Sequence, residues 1–116
     1  MTTRGQKLID QYYATMAAGD VEALAAFYSL DALVIRFDGT STGIAEILEF
    51  FTKMHAHYGQ YELQSLDQVT ESGDVLMWDA LVTTSNGVVQ VTEVLVLDED
   101  GKIRRHMPGF RGFWGK

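Results

Sequence analysis

Between Val89 and Leu97 the chain alternates at the strand period of two, Val89, Val91, Glu93, Leu95, Leu97, and the one member of that row that is not aliphatic is a glutamate. If the four aliphatic residues line the interior of a sheet, their phase carries the Glu93 carboxyl inside with them. Burial disfavours a carboxylate's charge, so the group needs a partner, and titratable groups so placed concentrate in pockets. The alternative is an edge strand in water, or a structural pairing with an arginine such as Arg36 or Arg105. The row itself leaves both open.

At 116 residues and 47% hydrophobic, the chain suits one domain over residues 1–116 with a proper core, and is too short for two. It has no cysteine, so disulfides, thiolate metal sites and a cysteine nucleophile are excluded. The opening Met-Thr-Thr-Arg-Gly-Gln-Lys lacks the apolar stretch of a signal peptide, and no run approaches the roughly 18 apolar residues of a membrane span. A cytoplasmic location is expected. Sixteen acidic against nine basic residues give a net charge of -7, which repels phosphate backbones and anionic lipid. Neither nucleic acid nor membrane is an expected partner.

From Thr3 to Ala18, Leu8, Ile9, Tyr12, Tyr13 and Met16 recur at three and four residues, the stripe of a helix that Gly19 stops. Asp20 can cap a second short helix whose Val21, Leu24, Ala25 and Tyr28 share a face. The β-branched and aromatic run Ala32–Phe37 reads as a strand, with Leu33, Ile35 and Phe37 as its core face, ending at the turn pair Asp38-Gly39. After Thr40-Ser41-Thr42, Ile44, Ile47, Leu48, Phe51 and Met54 trace a third helix to about His57. Strands follow: Tyr61–Leu66, leading into a polar stretch that ends at Ser72-Gly73-Asp74, and then Val75–Thr84. Asn86-Gly87 predicts a type I′ hairpin to the next strand, which begins at Val88. The acidic tip Asp98-Glu99-Asp100 lacks the remaining ligands of a calcium loop and reads as a solvated reversal. Ile103–Trp114 is the last strand, with a break predicted at Pro108-Gly109. The order of helix, helix, strand, helix and four strands predicts an α+β fold, with helices on one face of a mostly antiparallel sheet.

Tyr12-Tyr13-Ala14-Thr15-Met16-Ala17-Ala18-Gly19-Asp20, then Leu24, Phe27-Tyr28, Asp31-Ala32 and Gly43-Ile44, stand in an order and spacing that resemble the nuclear transport factor 2-like superfamily over nearly the whole chain. That superfamily includes ketosteroid isomerases, SnoaL-like polyketide cyclases, limonene epoxide hydrolase and scytalone dehydratase. The resemblance implies a cystatin-like cone, in which three N-terminal helices pack on a strongly curved mixed sheet around an apolar pocket, and a homodimer through the outer sheet face. Such a fold hosts many activities, so the chemistry must come from the site.

Laid against the ketosteroid isomerases, Tyr12 falls where the oxyanion-hole tyrosine belongs, and Glu93 where a protonated aspartic acid supplies the second hydrogen bond. Both then imply donors to a developing enolate oxygen, the carboxyl only if an apolar site keeps it neutral. Arg36 stands where the isomerases carry the proton-shuttling aspartate, and a guanidinium cannot serve as a base. It can bind an anionic group of the ligand, or pair with Glu93 and keep that carboxyl ionised. Asp38 projects to the same side of the strand, about 6 to 7 Å away, and is a candidate proton carrier. Compared with limonene epoxide hydrolase, Asp79 matches one aspartate of a trio, but Pro108 occupies the place of the second, which argues against epoxide hydrolysis by that mechanism.

Asp79 shares a strand face with Val75, Met77 and Leu81, so it is either a second acid or base in the pocket or a residue of the outer face. His55 and His57, two apart on a helix, diverge too far for a metal pair, and no metal or cofactor is expected. His106 has no carboxylate partner evident nearby in sequence. Phe51, Trp78, His106 and Phe110 are expected at the pocket wall. Together these readings imply an isomerase, cyclase or dehydratase that works by acid-base chemistry on a small hydrophobic carbonyl compound. The alternative is a noncatalytic ligand-binding or dimerisation module of the same fold.

Overall fold

The stripe Ile9, Tyr12, Tyr13 and Met16 is the buried face of helix α1 (Arg4–Ala18) in the computed structural model, which describes residues 3–115. Thr3 caps the helix by accepting from the Gln6 amide, and Gly19 ends it at φ 71°, a left-handed conformation open to glycine. Asp20 then accepts from the Ala23 amide at 3.1 Å and starts α2 (Val21–Ala25). After it come β1 (Tyr28–Arg36), β2 (Gly39–Thr42), α3 (Gly43–Tyr58), β3 (Tyr61–Ser72), β4 (Val75–Thr84), β5 (Gly87–Leu97) and β6 (Ile103–Gly115).

The strands form one sheet ordered β2-β1-β6-β5-β4-β3, with β1 and β6 parallel and the other neighbours antiparallel. This is the expected α+β architecture, three helices against a curled, open mixed sheet. Register shifts in the β1/β6, β3/β4 and β5/β6 pairings add the local twist that curls it. Along β5 burial alternates without exception, so Val89, Val91, Glu93, Leu95 and Leu97 all face inward. The core joins them to Ile9, Tyr13, Ile47, Phe51, Leu76 and Trp78.

Several expectations need correction. The hydroxyl residues after Gly39 form an extra strand, β2, paired with β1 from Leu33↔Thr42 to Arg36↔Gly39. On β1 the buried face is Tyr28, Ala32 and Val34, while Ile35 is 37% exposed and Phe37 99%. Both faces of that segment are apolar, so its sequence pattern could not choose between them. β3 runs on through the polar stretch to Ser72, because its ladder with β4 continues past a bulge at Gln68, φ 52°. The Thr84↔Gly87 pairing puts Ser85 and Asn86 in the hairpin loop, and Asn86 does not take positive φ, so the turn is not type I′. The Thr84 hydroxyl holds it instead, accepting from the Asn86 amide and donating to the Gly87 carbonyl. β6 is unbroken at Pro108, which lies beyond His106, the last β6 residue paired with β1.

Candidate active site

Glu93 is 6% exposed, and its partner is His106, whose Nε2 lies 3.0 Å from Glu93 Oε1. The expected alternatives, Arg36 and Arg105, are not its partners. The pairing follows from register: Glu93 stands opposite Pro108, so His106, two residues back on the same inward face of β6, is its diagonal neighbour. On the other side of the imidazole, Nδ1 lies 2.9 Å from the Tyr28 hydroxyl at the start of β1. Both ring nitrogens are thus engaged inside the protein.

Tyr12 projects from α1 onto the same cluster, its ring 6.3 Å from His106 and 6.4 Å from Phe51, edge to face with both. Burial raises the pKa of its phenol well above the usual value, and the neighbouring Tyr28 and the Glu93 charge push it further. Burial raises Tyr28, Tyr13 and Tyr61 as well, with Glu93 adding to each. These phenols remain neutral hydrogen-bond donors at any physiological pH.

Tyr12, Glu93 and His106 line a cavity of about 870 Å³, whose walls include Phe51, Tyr61, Val91 and Phe110. Among the described residues, the Glu93 carboxylate is held by His106 through Oε1, which leaves the second oxygen, Oε2, on a residue that lines the cavity. It is therefore the oxygen free for a ligand. Arg36 and Asp38 also line the cavity, but they hold each other: Arg36 Nε is 3.0 Å from Asp38 Oδ1. Arg36 Nη1 donates to the buried Ser41 hydroxyl at 2.9 Å, and the guanidinium sits 4.6 Å over the Phe50 ring. Asp38 is 81% exposed and already paired, a poor position for a proton carrier.

Two expected site residues lie elsewhere. Asp79 is on the outer face of β4, accepting from the Thr92 hydroxyl at 2.6 Å with Arg111 3.7 Å away. Trp78 points inward but into the core, where its indole N–H donates to the Tyr13 hydroxyl at 2.9 Å. His55 and His57 are exposed near the end of α3, and among the described residues no three His, Asp or Glu side chains converge as metal ligands. Tyr28 was missed because it continued the apolar face of the short second helix. No local signal links it to His106, 78 residues away. His106 was more accessible, since counting across the Asp98–Gly101 reversal brings it near Glu93.

A sequence model of the SnoaL-like domain matches residues 9–106. No curated protein matches the chain in sequence. A SnoaL-like protein of unknown function from Burkholderia thailandensis is 11% identical with a TM-score of 0.81, covering 94% of this chain and 96% of the other. The epoxide hydrolase/cyclase-like enzyme SalBIII, described for pyran ring formation in salinomycin, is 16% identical with a TM-score of 0.79 over 95% of each chain. TerC, co-crystallized with polyporic acid, is 18% identical with a TM-score of 0.78 over 94% of this chain and 92% of its own. At these identities the likeness is one of fold.

Proposed function

The chain belongs to the SnoaL-like domain family, and from that premise we propose a cytoplasmic acid-base enzyme of isomerase, cyclase or dehydratase type that acts on a small hydrophobic carbonyl compound without a cofactor. The observation that carries this reading is the Glu93 carboxyl, buried at the cavity wall with one oxygen held by His106 and the other free. Tyr12 donates a hydrogen bond to the carbonyl oxygen of the ligand and keeps its proton. Glu93 Oε2 removes a proton from the adjacent carbon, the C–H electrons move into the enolate, and the same carboxyl returns the proton to another carbon or to a departing hydroxyl. General-base catalysis of this kind contributes about 10²- to 10⁴-fold. Arg36, fixed by Asp38, Ser41 and Phe50, adds positive potential at the cavity wall that favours an anionic group on the ligand. Support by analogy comes from SalBIII, described as epoxide hydrolase/cyclase-like.

A second reading, a noncatalytic ligand-binding module, draws on one observation. Asp38 is bound to Arg36 and Asp79 faces outward, so neither aspartate assists Glu93. We also propose a homodimer through the outer sheet face, where Met77, Val94 and Met107 form a cross-strand row.

Titration with 4-nitrophenol, whose absorbance reports its ionisation, tests the site. Tyr12→Phe is expected to weaken binding about tenfold, the loss of one hydrogen bond to the ligand oxygen. Glu93→Gln is expected to raise the ionised fraction of the bound phenol, because a negative charge beside it is gone. Unchanged affinity and spectrum in both variants would remove the proposal.

A further inference from the structure

The cluster contains two groups that the proposed chemistry does not use, the Tyr28 hydroxyl and the His106 ring. They connect to Glu93 in series: Tyr28 Oη to His106 Nδ1 at 2.9 Å, and His106 Nε2 to Glu93 Oε1 at 3.0 Å. Each contact lies between buried side chains on β1, β6 and β5, so water does not compete for them. A neutral imidazole donates from one nitrogen and accepts at the other, and the partner of one fixes the role of the other.

Resting on the acid-base reading above, the geometry points to Tyr28 and His106 as a positioning pair: the Tyr28 hydroxyl donates to Nδ1, which places the ring proton on Nε2, and Nε2–H then holds Glu93 Oε1 so that the carboxyl works as a proton acceptor through Oε2. In this arrangement both contacts are satisfied without an extra proton from solvent. The opposite polarity has Nδ1–H donating to Tyr28 and a Glu93 O–H donating to Nε2, and it requires one more bound proton. It would make Glu93 a neutral donor, the role the ketosteroid isomerase resemblance implies. Tyr28 and His106 touch Glu93's function through its orientation and charge, not the ligand.

The other ionisable groups around Glu93 are compatible with this assignment. Tyr12 and Tyr13 on α1 and Tyr61 on β3 feel its charge as neutral phenols. Arg36 on β1 is committed to Asp38 and Ser41. Glu46, Glu49, Lys53 and His57 line the cavity from α3 but are exposed to solvent.

The test is NMR of the whole labelled protein, with long-range proton-nitrogen spectra of His106 and a pH titration of the Glu93 carboxyl carbon. The expected wild-type result is a ring protonated at Nε2 and bare at Nδ1. Tyr28→Phe is expected to mix the two tautomers and to raise the Glu93 titration midpoint by about 0.3 pH unit, the factor of two from halving the population that carries the Nε2–H donor. Far-ultraviolet circular dichroism verifies the folding of each variant. As a second pair, His106→Gln keeps a donor and an acceptor and should hold the midpoint near wild type, whereas His106→Leu should raise it. A wild-type ring protonated at Nδ1, or a midpoint unmoved by Tyr28→Phe and His106→Leu, would overturn the pair. Since 4-nitrophenol reports on Tyr12 and Glu93 independently, a silent phenol would overturn the underlying catalytic reading, and a responsive phenol with unmoved midpoints would overturn the positioning role alone.

Discussion

A carboxyl group on the inner face of an aliphatic strand persists because one of its oxygens has a buried donor within reach. Replacing His106 with leucine removes that donor and leaves both Glu93 Oε1 and the Tyr28 hydroxyl without a partner. The expected cost is about 3 kcal/mol, read as a lowered urea midpoint at pH 7, and Glu93→Leu added to it should recover part of the loss. At this scale the sequence was informative about single residues and poor about pairs. The alternation of β5 left Glu93 either inside the sheet or on an edge in water, and the structure has it inside. Tyr28 and His106 meet only through the parallel β1/β6 pairing, a contact between distant segments that no local pattern encodes. Asp79 illustrates the same gap: parity put it with Val75, Met77 and Leu81, and only the assembled sheet shows that this face is the outer one.

Elements whose pattern had a single interpretation were legible. The helices α1 and α3 and the strands β4 and β5 lie within a residue or two of their predicted positions, since period, cap and turn residues all agree there. Failures came where two interpretations were equally good: β1 is apolar on both faces, and β2 and the distal half of β3 are polar strands held by their ladders. Gly87 shows how a turn residue can be right for a different reason. Its φ is 143°, and a Cβ there would collide with the backbone of Trp114 and Gly115, so it admits the close approach of β6. Gly87→Ala is expected to destabilise by about 2 kcal/mol in thermal or urea unfolding, with the loss centred on the β4–β5 hairpin in hydrogen exchange.

Over the whole molecule, burial of tyrosine sets an alkaline limit. Tyr12, Tyr13, Tyr28 and Tyr61, four of the five tyrosines, have phenol pKa values raised by burial. The unfolded chain releases these protons near pH 10 while the folded one retains them, so the unfolded state binds fewer protons and stability falls as pH rises. Their contribution is complete below about pH 10 and declines above it by about 1.4 kcal/mol per pH unit for each tyrosine, a steep alkaline transition measurable by circular dichroism. The proposed dimer makes a separate prediction: Met77→Lys, in the Met77, Val94, Met107 row, should reduce the mass seen by light scattering from two chains to one. The account as a whole depends on a phenol and a carboxyl converging on one ligand inside the cavity. A crystal structure with 4-nitrophenol tests it most directly: the prediction is a phenol oxygen within hydrogen-bonding distance of both Tyr12 Oη and Glu93 Oε2, and a ligand seated away from both, in a cavity that otherwise admits it, would contradict it.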